Sequence, residues 1–345
     1  MTARVFGQHE GRDVLEVTIR SGEAEAAIIT FGAVVRDLHV GAGGGRQRVV
    51  NGLTTPEDYV RYSPHFGAIA GRYANRINGG RFPLDGETVE LPRNQEGKHY
   101  LHGGGNGLGK QVWQLAAYGE DFAVLTHVSP DGEAGHPGTL STTCVYRLVG
   151  NTLRAELSAT TDKATPVNLC HHSYFNLDGS ETILDHTMEI AADFYTPVDP
   201  DLIPTGEIRH VEGTPFDFRA ARRIHMEKSG GERFWYDNNW VLRRDRLEPS
   251  GFDHLPLAHA VTFASPKNGL AMQVWTTEPG LQFYDGHLLD MPVPGLDGVP
   301  YARHGGLCLE PQRFPDGPNE PHFPASILRP GGLSRQVSEM RFRGI

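Results

Sequence analysis

The sequence predicts an all-β protein, a large antiparallel β-sandwich with few short helices, and three observations carry that expectation. Apolar residues recur at every second position along many short segments, the pattern of strands with one buried face. Dipeptides that tolerate positive φ separate pairs of such segments, as tight hairpins require. The 345 residues include 42 Gly and 24 Pro while only 21% are charged, a composition of many turns rather than of long solvated helices.

In chain order, Leu15, Val17 and Ile19 alternate with Glu16, Thr18 and Arg20, which predicts a half-buried strand. Pro56 to Tyr62 is a short helical candidate. Asp85-Gly86 stands between Phe-Pro-Leu and Thr-Val-Glu-Leu and predicts a hairpin. Phe122 to Val128 reads as a strand, and Gly150-Asn151 then joins Cys-Val-Tyr-Arg-Leu-Val to a run in which Leu153, Ala155, Leu157 and Ala159 alternate with Arg154, Glu156 and Ser158. Met188 to Ile190 is a further strand candidate and Phe218 to Ile224 a second helical one. Asn268-Gly269 separates Val-Thr-Phe-Ala-Ser from the apolar run through Met272 to Trp275. No composition break, low-complexity linker or internal repeat interrupts the series, so residues 1–345 are read as a single domain.

The formal net charge is −10, and the densest basic stretches, Arg219 to Arg223 and Arg243 to Arg246, are short and interrupted. Nucleic acid is excluded as a partner, because phosphate neutralisation needs a basic footprint. No apolar run reaches the roughly 18 residues of a membrane span, and the N-terminal residues lack an apolar signal core. Three widely spaced cysteines, Cys144, Cys170 and Cys308, fit a reducing cytoplasm.

Several islands hold residues suited to chemistry. Gly71 to Ile77 sets Arg72 and Arg76, two donor forks, beside Asn75, a set suited to the oxygens of a polyol or to surface carboxylates. In His99 to Gly107, glycines directly after His102 permit close backbone approach, although no helix or Lys-Ser/Thr follows as a phosphate loop would need. His171 and His172 would face opposite sides of a strand, so only one of them serves a site, and the residues themselves do not say which. Asp237, within Trp235 to Trp240, is either a hydroxyl-binding carboxylate among aromatic walls or an Asx turn. Glu310 follows Leu307 to Leu309 at what reads as a strand end, where partial desolvation would make it a better base than a surface glutamate.

Taken in order, these islands resemble the aldose 1-epimerase (galactose mutarotase) family. The resemblance runs from Thr30-Phe31-Gly32-Ala33 to Leu328-Arg329-Pro330-Gly331. It rests on G-R-x-A-N-R-I at Gly71 to Ile77, L-H-G-G at Leu101 to Gly104, H-S-Y-F-N-L at His172 to Leu177, P-G-x-Q-F-Y at Pro279 to Tyr284 and L-E-x-Q at Leu309 to Gln312. It implies a β-supersandwich and interconversion of the α and β anomers of free aldohexoses such as galactose and glucose, with no metal or other cofactor. By the family pattern His172 is the general acid and Glu310 the general base, an ionised carboxylate paired with a protonated imidazole. Asn75, Arg76, His102, Asp237 and Gln282 match sugar-binding positions, and Tyr174 lines the same pocket. His171 stands where most members have Asn, and Asn238 where many have His, departures that bear on substrate preference rather than on the reaction. No added Lys/Arg cluster suggests a phosphorylated sugar, and the expected assembly is a monomer or weak homodimer.

Three other readings compete. His102, His172 and Glu310 are the set a two-His, one-carboxylate metal centre would use, which metal analysis would reveal. Glu310 and Asp237 are the pair a glycoside hydrolase would use, which release of sugar from a glycoside would reveal. A non-catalytic sugar-binding sandwich would bind sugar without changing its anomeric ratio.

Overall fold

The computed structural model describes residues 3–344. They form antiparallel sheets, the largest of ten strands. Its path runs Gln114–Tyr118, Phe122–Ser129, Leu140–Val149, Thr152–Thr161, Ser334–Gly344, Leu270–Thr276, Pro256–Ser265, Thr187–Ile190 and Arg222–Arg223, with Leu247–Pro249 beside Pro256–Ser265. A six-stranded sheet orders Tyr174–Phe175, Leu307–Gln312, Gly280–Tyr284, Asp237–Leu242, Ala192–Thr196 and Arg209–His210. A five-stranded sheet takes the N-terminal strands from Arg4–His9 to Gly45–Arg48 in sequence order.

One apolar core joins the three sheets, drawing Val17, Ile28 and Leu38 from the N-terminal sheet, Leu125, Tyr146 and Leu157 from the ten-stranded sheet, and Trp240, Phe283 and Leu309 from the six-stranded one. Leu153, Ala155, Leu157 and Ala159 all bury into it, as their alternation requires. Leu270–Thr276 is instead buried at every position, because both of its faces are covered. The sandwich class expected from periodicity is thus the one observed.

Local signals explain most turns. Asp85 and Gly86 take φ of 51° and 89° in a two-residue hairpin that pairs Leu84 with Glu87. Asn268-Gly269 lies in a longer loop between Ser265 and Leu270, with only Gly269 at positive φ. The helix at Pro56–Tyr62 forms as expected: the Thr55 hydroxyl accepts the Asp58 N–H at 3.1 Å, Pro56 occupies the first turn, and the Ser63-Pro64 step ends it.

The second helical candidate is not a helix. In Phe218 to Ile224, Asp217 caps a turn by accepting the Arg219 N–H, Arg222 lies over the Phe218 ring, and Arg222–Arg223 pairs with Thr187–Ile190 as an edge strand. Apolar ends that look helical by spacing bury here from an irregular segment, the local Asx turn outcompeting helix nucleation. No helix among the described residues is long and apolar enough to cross a membrane.

Candidate active site

The site grows from the middle of the six-stranded sheet. Asn239, Gln282 and Glu310 stand opposite one another on three neighbouring strands, so their side chains share one face, and Asp237, two residues before Asn239, shares it too. Glu310 lies inside Leu307–Gln312 rather than at the strand end read from sequence. Pro311 does not stop the strand because the Tyr174–Phe175 partner ends at Cys308, leaving the proline beside a single neighbour.

This face floors a cleft of about 220 Å³ lined by Pro64, His65, Asn75, Arg76, Leu101, His102, His172, Tyr174, Asp237, Tyr284, Leu288, Leu289 and Glu310. Gln282 sits behind that lining: its amide nitrogen donates to Asp237 Oδ1 at 2.7 Å. The Arg76 guanidinium is 3.6 Å from Asp237 Oδ2, and its Nε donates to Gln95 Oε1 at 2.9 Å. Fork, carboxylate and amide therefore hold one another, an arrangement that presents fixed donors and acceptors to vicinal hydroxyls.

Of the two arginines expected to serve a polyol, only Arg76 reaches the cleft. Arg72 is buried elsewhere and gives its donors to the Ser129 hydroxyl and to the carbonyls of Ser129, Pro130, Pro137 and Gly138. Asn75, at φ 60°, redirects the chain between them.

The two adjacent histidines part company as strand geometry requires. His172 lines the cleft, with Nε2 at 3.5 Å from Glu310 Oε1. His171 turns away to share a hydrogen bond with the Ser173 hydroxyl at 2.9 Å beside the Tyr146 ring. Asn238 likewise faces away from Asp237, into a separate cavity beside Tyr195 and Trp235. Tyr174 donates its hydroxyl to the Pro64 carbonyl at 3.2 Å and packs beside His172.

His102 is held by its neighbours. Its N–H donates to the Asn75 carbonyl at 3.1 Å, and its Nδ1 accepts the Asn75 N–H at 3.2 Å. Gly103 makes this possible: it takes φ +94°, and a Cβ there would lie 1.9 Å from the Gly71 carbonyl oxygen. Gly103→Ala is expected to cost about 2–4 kcal/mol and to raise KM through His102. A melting curve and KM both unchanged would contradict that placement.

His102, His172 and Glu310 do converge, their potential ligand atoms within 4.8 Å of one another. The His102 tautomer opposes a metal ion there. A backbone N–H can only donate, so Nδ1 must accept and the neutral ring carries its proton on Nε2. A metal-bound histidine instead donates through its second nitrogen. In this chain His102 Nε2–H is a hydrogen-bond donor.

Burial sets the protonation of the pair. Glu310 is 2% exposed, and desolvation pushes its pKa up to about 8, with Asp237 adding to the rise while Cys170 and Arg76 oppose it. Desolvation also draws His172 down to about 4, and His65 and His102 well below the usual histidine range. In the free cleft Glu310 and His172 are both uncharged near pH 7 and hold one proton between them. The ionised-carboxylate, protonated-imidazole form expected from sequence is the tautomer with that same proton moved to the imidazole.

Sequence reasoning missed His65, Gln95 and Tyr284. His65 forms a cluster of rings with His102 and His172, with centroids 4.8 and 5.6 Å away. A lone histidine after a proline carries no signal, and Gln95 sat in an ordinary Asn-Gln-Glu-Gly turn. Tyr284 was legible, since it lies two residues beyond Gln282 and so on the same face.

Comparison with known proteins shows the family. The profile of the family described as aldose 1-epimerase matches residues 16–341. Galactose mutarotase of Mus musculus is 40% identical over 349 aligned positions, covering 99% of this chain and 98% of that protein. Aldose 1-epimerase of Escherichia coli K12 is 35% identical, with 96% of each covered. The solved structure of an aldose epimerase homologue from C. elegans superimposes with a TM-score of 0.88 at 30% identity, over 96% of this chain and 99% of that one.

Proposed function

Because this chain belongs to the aldose 1-epimerase family and is an isomerase that interconverts the anomers of aldohexoses such as galactose and glucose, we propose that the cleft over Glu310 is its active site, with Glu310 as general base and His172 as general acid. The observation that carries this reading is the 3.5 Å approach of His172 Nε2 to Glu310 Oε1 within a buried pocket whose remaining polar groups are donors and acceptors for hydroxyls.

In the reaction, Glu310 removes the proton of the C1 hydroxyl, the C1–O1 bond becomes a carbonyl, and the ring C1–O5 bond breaks as O5 takes the proton from His172 Nε2. The reaction starts once the one proton of the pair has moved from Glu310 to the imidazole, a transfer that burial opposes, and ring opening returns the pair to the neutral form that burial favours. Rotation about C1–C2 presents the other carbonyl face, and closure reverses both transfers. Asn75, Arg76, His102 and Asp237 hold the other hydroxyls so that the open chain recloses before it leaves, while Gln282 orients Asp237 and Tyr174 walls the site. Asp237 is tied to Arg76 and Gln282, which suits hydroxyl binding better than the second carboxylate of a hydrolase.

A single chain supplies every group from His65 to Glu310, which supports one working domain over 1–345 and a monomer or weak homodimer as sufficient. Three buried free thiols support a cytoplasmic setting.

Polarimetry on α-galactose, α-glucose, xylose and arabinose tests the activity and ranks the substrates. Catalysis needs one proton on the pair, so kcat/KM should follow a bell. Below about 4 His172 gains a second proton while Glu310 keeps its own, and the base is lost. Above about 8 the pair loses its only proton, and the acid is lost. A profile flat across both limbs would refute the pairing.

A further inference from the structure

Two of the three cysteines lie against the proposed acid and base. Cys170 is fully buried on Cys170–His171, and its Sγ donates to Glu310 Oε2 at 3.3 Å. Cys308 is fully buried two residues before Glu310 on the same strand face, its Sγ 3.6 Å from His172 Nδ1. The third, Cys144, is buried in the apolar core.

Building on the acid and base assigned above, we propose that Cys170 and Cys308 are positioning residues: Cys170 orients the Glu310 carboxylate through a hydrogen bond too weak to quench it as a base, and Cys308 backs His172 Nδ1 so that Nε2 faces the sugar. The chemistry of the thiol is what suits it to both tasks. An S–H is a weak donor, so it aligns one carboxylate oxygen without the stabilisation that a hydroxyl or backbone N–H would give to the charged form. In the proposed cycle the mobile proton leaves and rejoins Nε2 while Nδ1 keeps its own, so the Cys308 sulfur accepts from Nδ1–H whether His172 is neutral or protonated. Burial holds both thiols far from ionisation, so neither introduces a competing negative charge.

The other titratable or charged groups near Glu310 are Asp237, Arg76, His102, His172 and Tyr174. Around His172 they are His65, His102, Tyr174 and Glu310. None of them replaces the Cys170 bond to Oε2.

The test is the pH profile of anomerisation in the full chain carrying Cys170→Ser, Cys170→Ala, Cys308→Ser or Cys308→Ala, with circular dichroism to confirm folding. A serine hydroxyl at 170 should favour the carboxylate, shifting the alkaline limb down by about 0.5–1 pH unit and lowering kcat several-fold at unchanged KM. Cys170→Ala should shift that limb upward. Cys308→Ala should lower kcat, and Cys308→Ser should restore most of it. Limbs that coincide with wild type in both 170 variants, or equal kcat in wild type and Cys308→Ala, would overturn the proposal. The serine variants keep it testable if an alanine variant fails to fold. Failure of the acid–base assignment is distinguishable, because it would appear as activity surviving in Glu310→Gln with both cysteines intact.

Discussion

Glu310→Gln should abolish accelerated anomerisation and, at alkaline pH, make the protein more stable. Removing a general base costs about 10²–10⁴-fold in rate, and the amide cannot accept the C1 hydroxyl proton. The fold should persist, since Gln has nearly the volume of Glu and can accept the Cys170 S–H through its carbonyl. Polarimetry on both anomers of galactose and glucose reads the loss, and turnover within a few-fold of wild type would remove Glu310 from the mechanism.

The stability gain follows from the sign of the pKa shift. Glu310 rises from an ordinary 4.5 to about 8 on folding. Between those values the folded chain holds a proton that the unfolded chain has released, so wild-type stability falls as pH rises through that window. Gln does not titrate and escapes this loss. His172 is shifted the opposite way, to about 4, but its contribution is common to both proteins and largely cancels in their difference. The advantage of Glu310→Gln over wild type should therefore grow from pH 5 to pH 8, by on the order of 1 kcal/mol per pH unit. Calorimetry at the two pH values measures it, and an advantage that does not grow would mean that Glu310 is not held neutral by burial.

How much of this was legible beforehand depends on how local each signal is. Asp85-Gly86 and the alternation from Leu153 to Ala159 announce their conformations because the determinants lie within a few residues. Glu310, His172, His102, Asn75, Arg76 and Asp237 were legible through motifs whose spacing survives in the chain. Arg72 misled because its fate depends on carbonyls from Ser129 to Gly138, more than 50 residues away. The segment Phe218 to Ile224 misled because an Asx turn and an edge pairing outweigh its spacing. The protonation of the pair was not legible at all. It is set by burial, which the Cys170 thiol, 140 residues from the carboxylate it touches, partly opposes at Glu310.

The sharpest test of the site compares two neighbouring substitutions. His172→Asn should lower kcat by about 10²–10⁴-fold with little change in KM, because the ring oxygen loses its proton donor while Arg76, His102 and Asp237 still grip the sugar. His171→Asn should leave kcat within a few-fold of wild type. That ring contacts Ser173 and Tyr146 on the far side of the strand, and Asn can still reach the serine hydroxyl. The two residues have the same chemistry, nearly equal burial and adjacent backbone, so general destabilisation would affect both alike. Only orientation separates them. A large loss in His171→Asn, or a mild one in His172→Asn, would mean that the acid has been assigned to the wrong face of the strand.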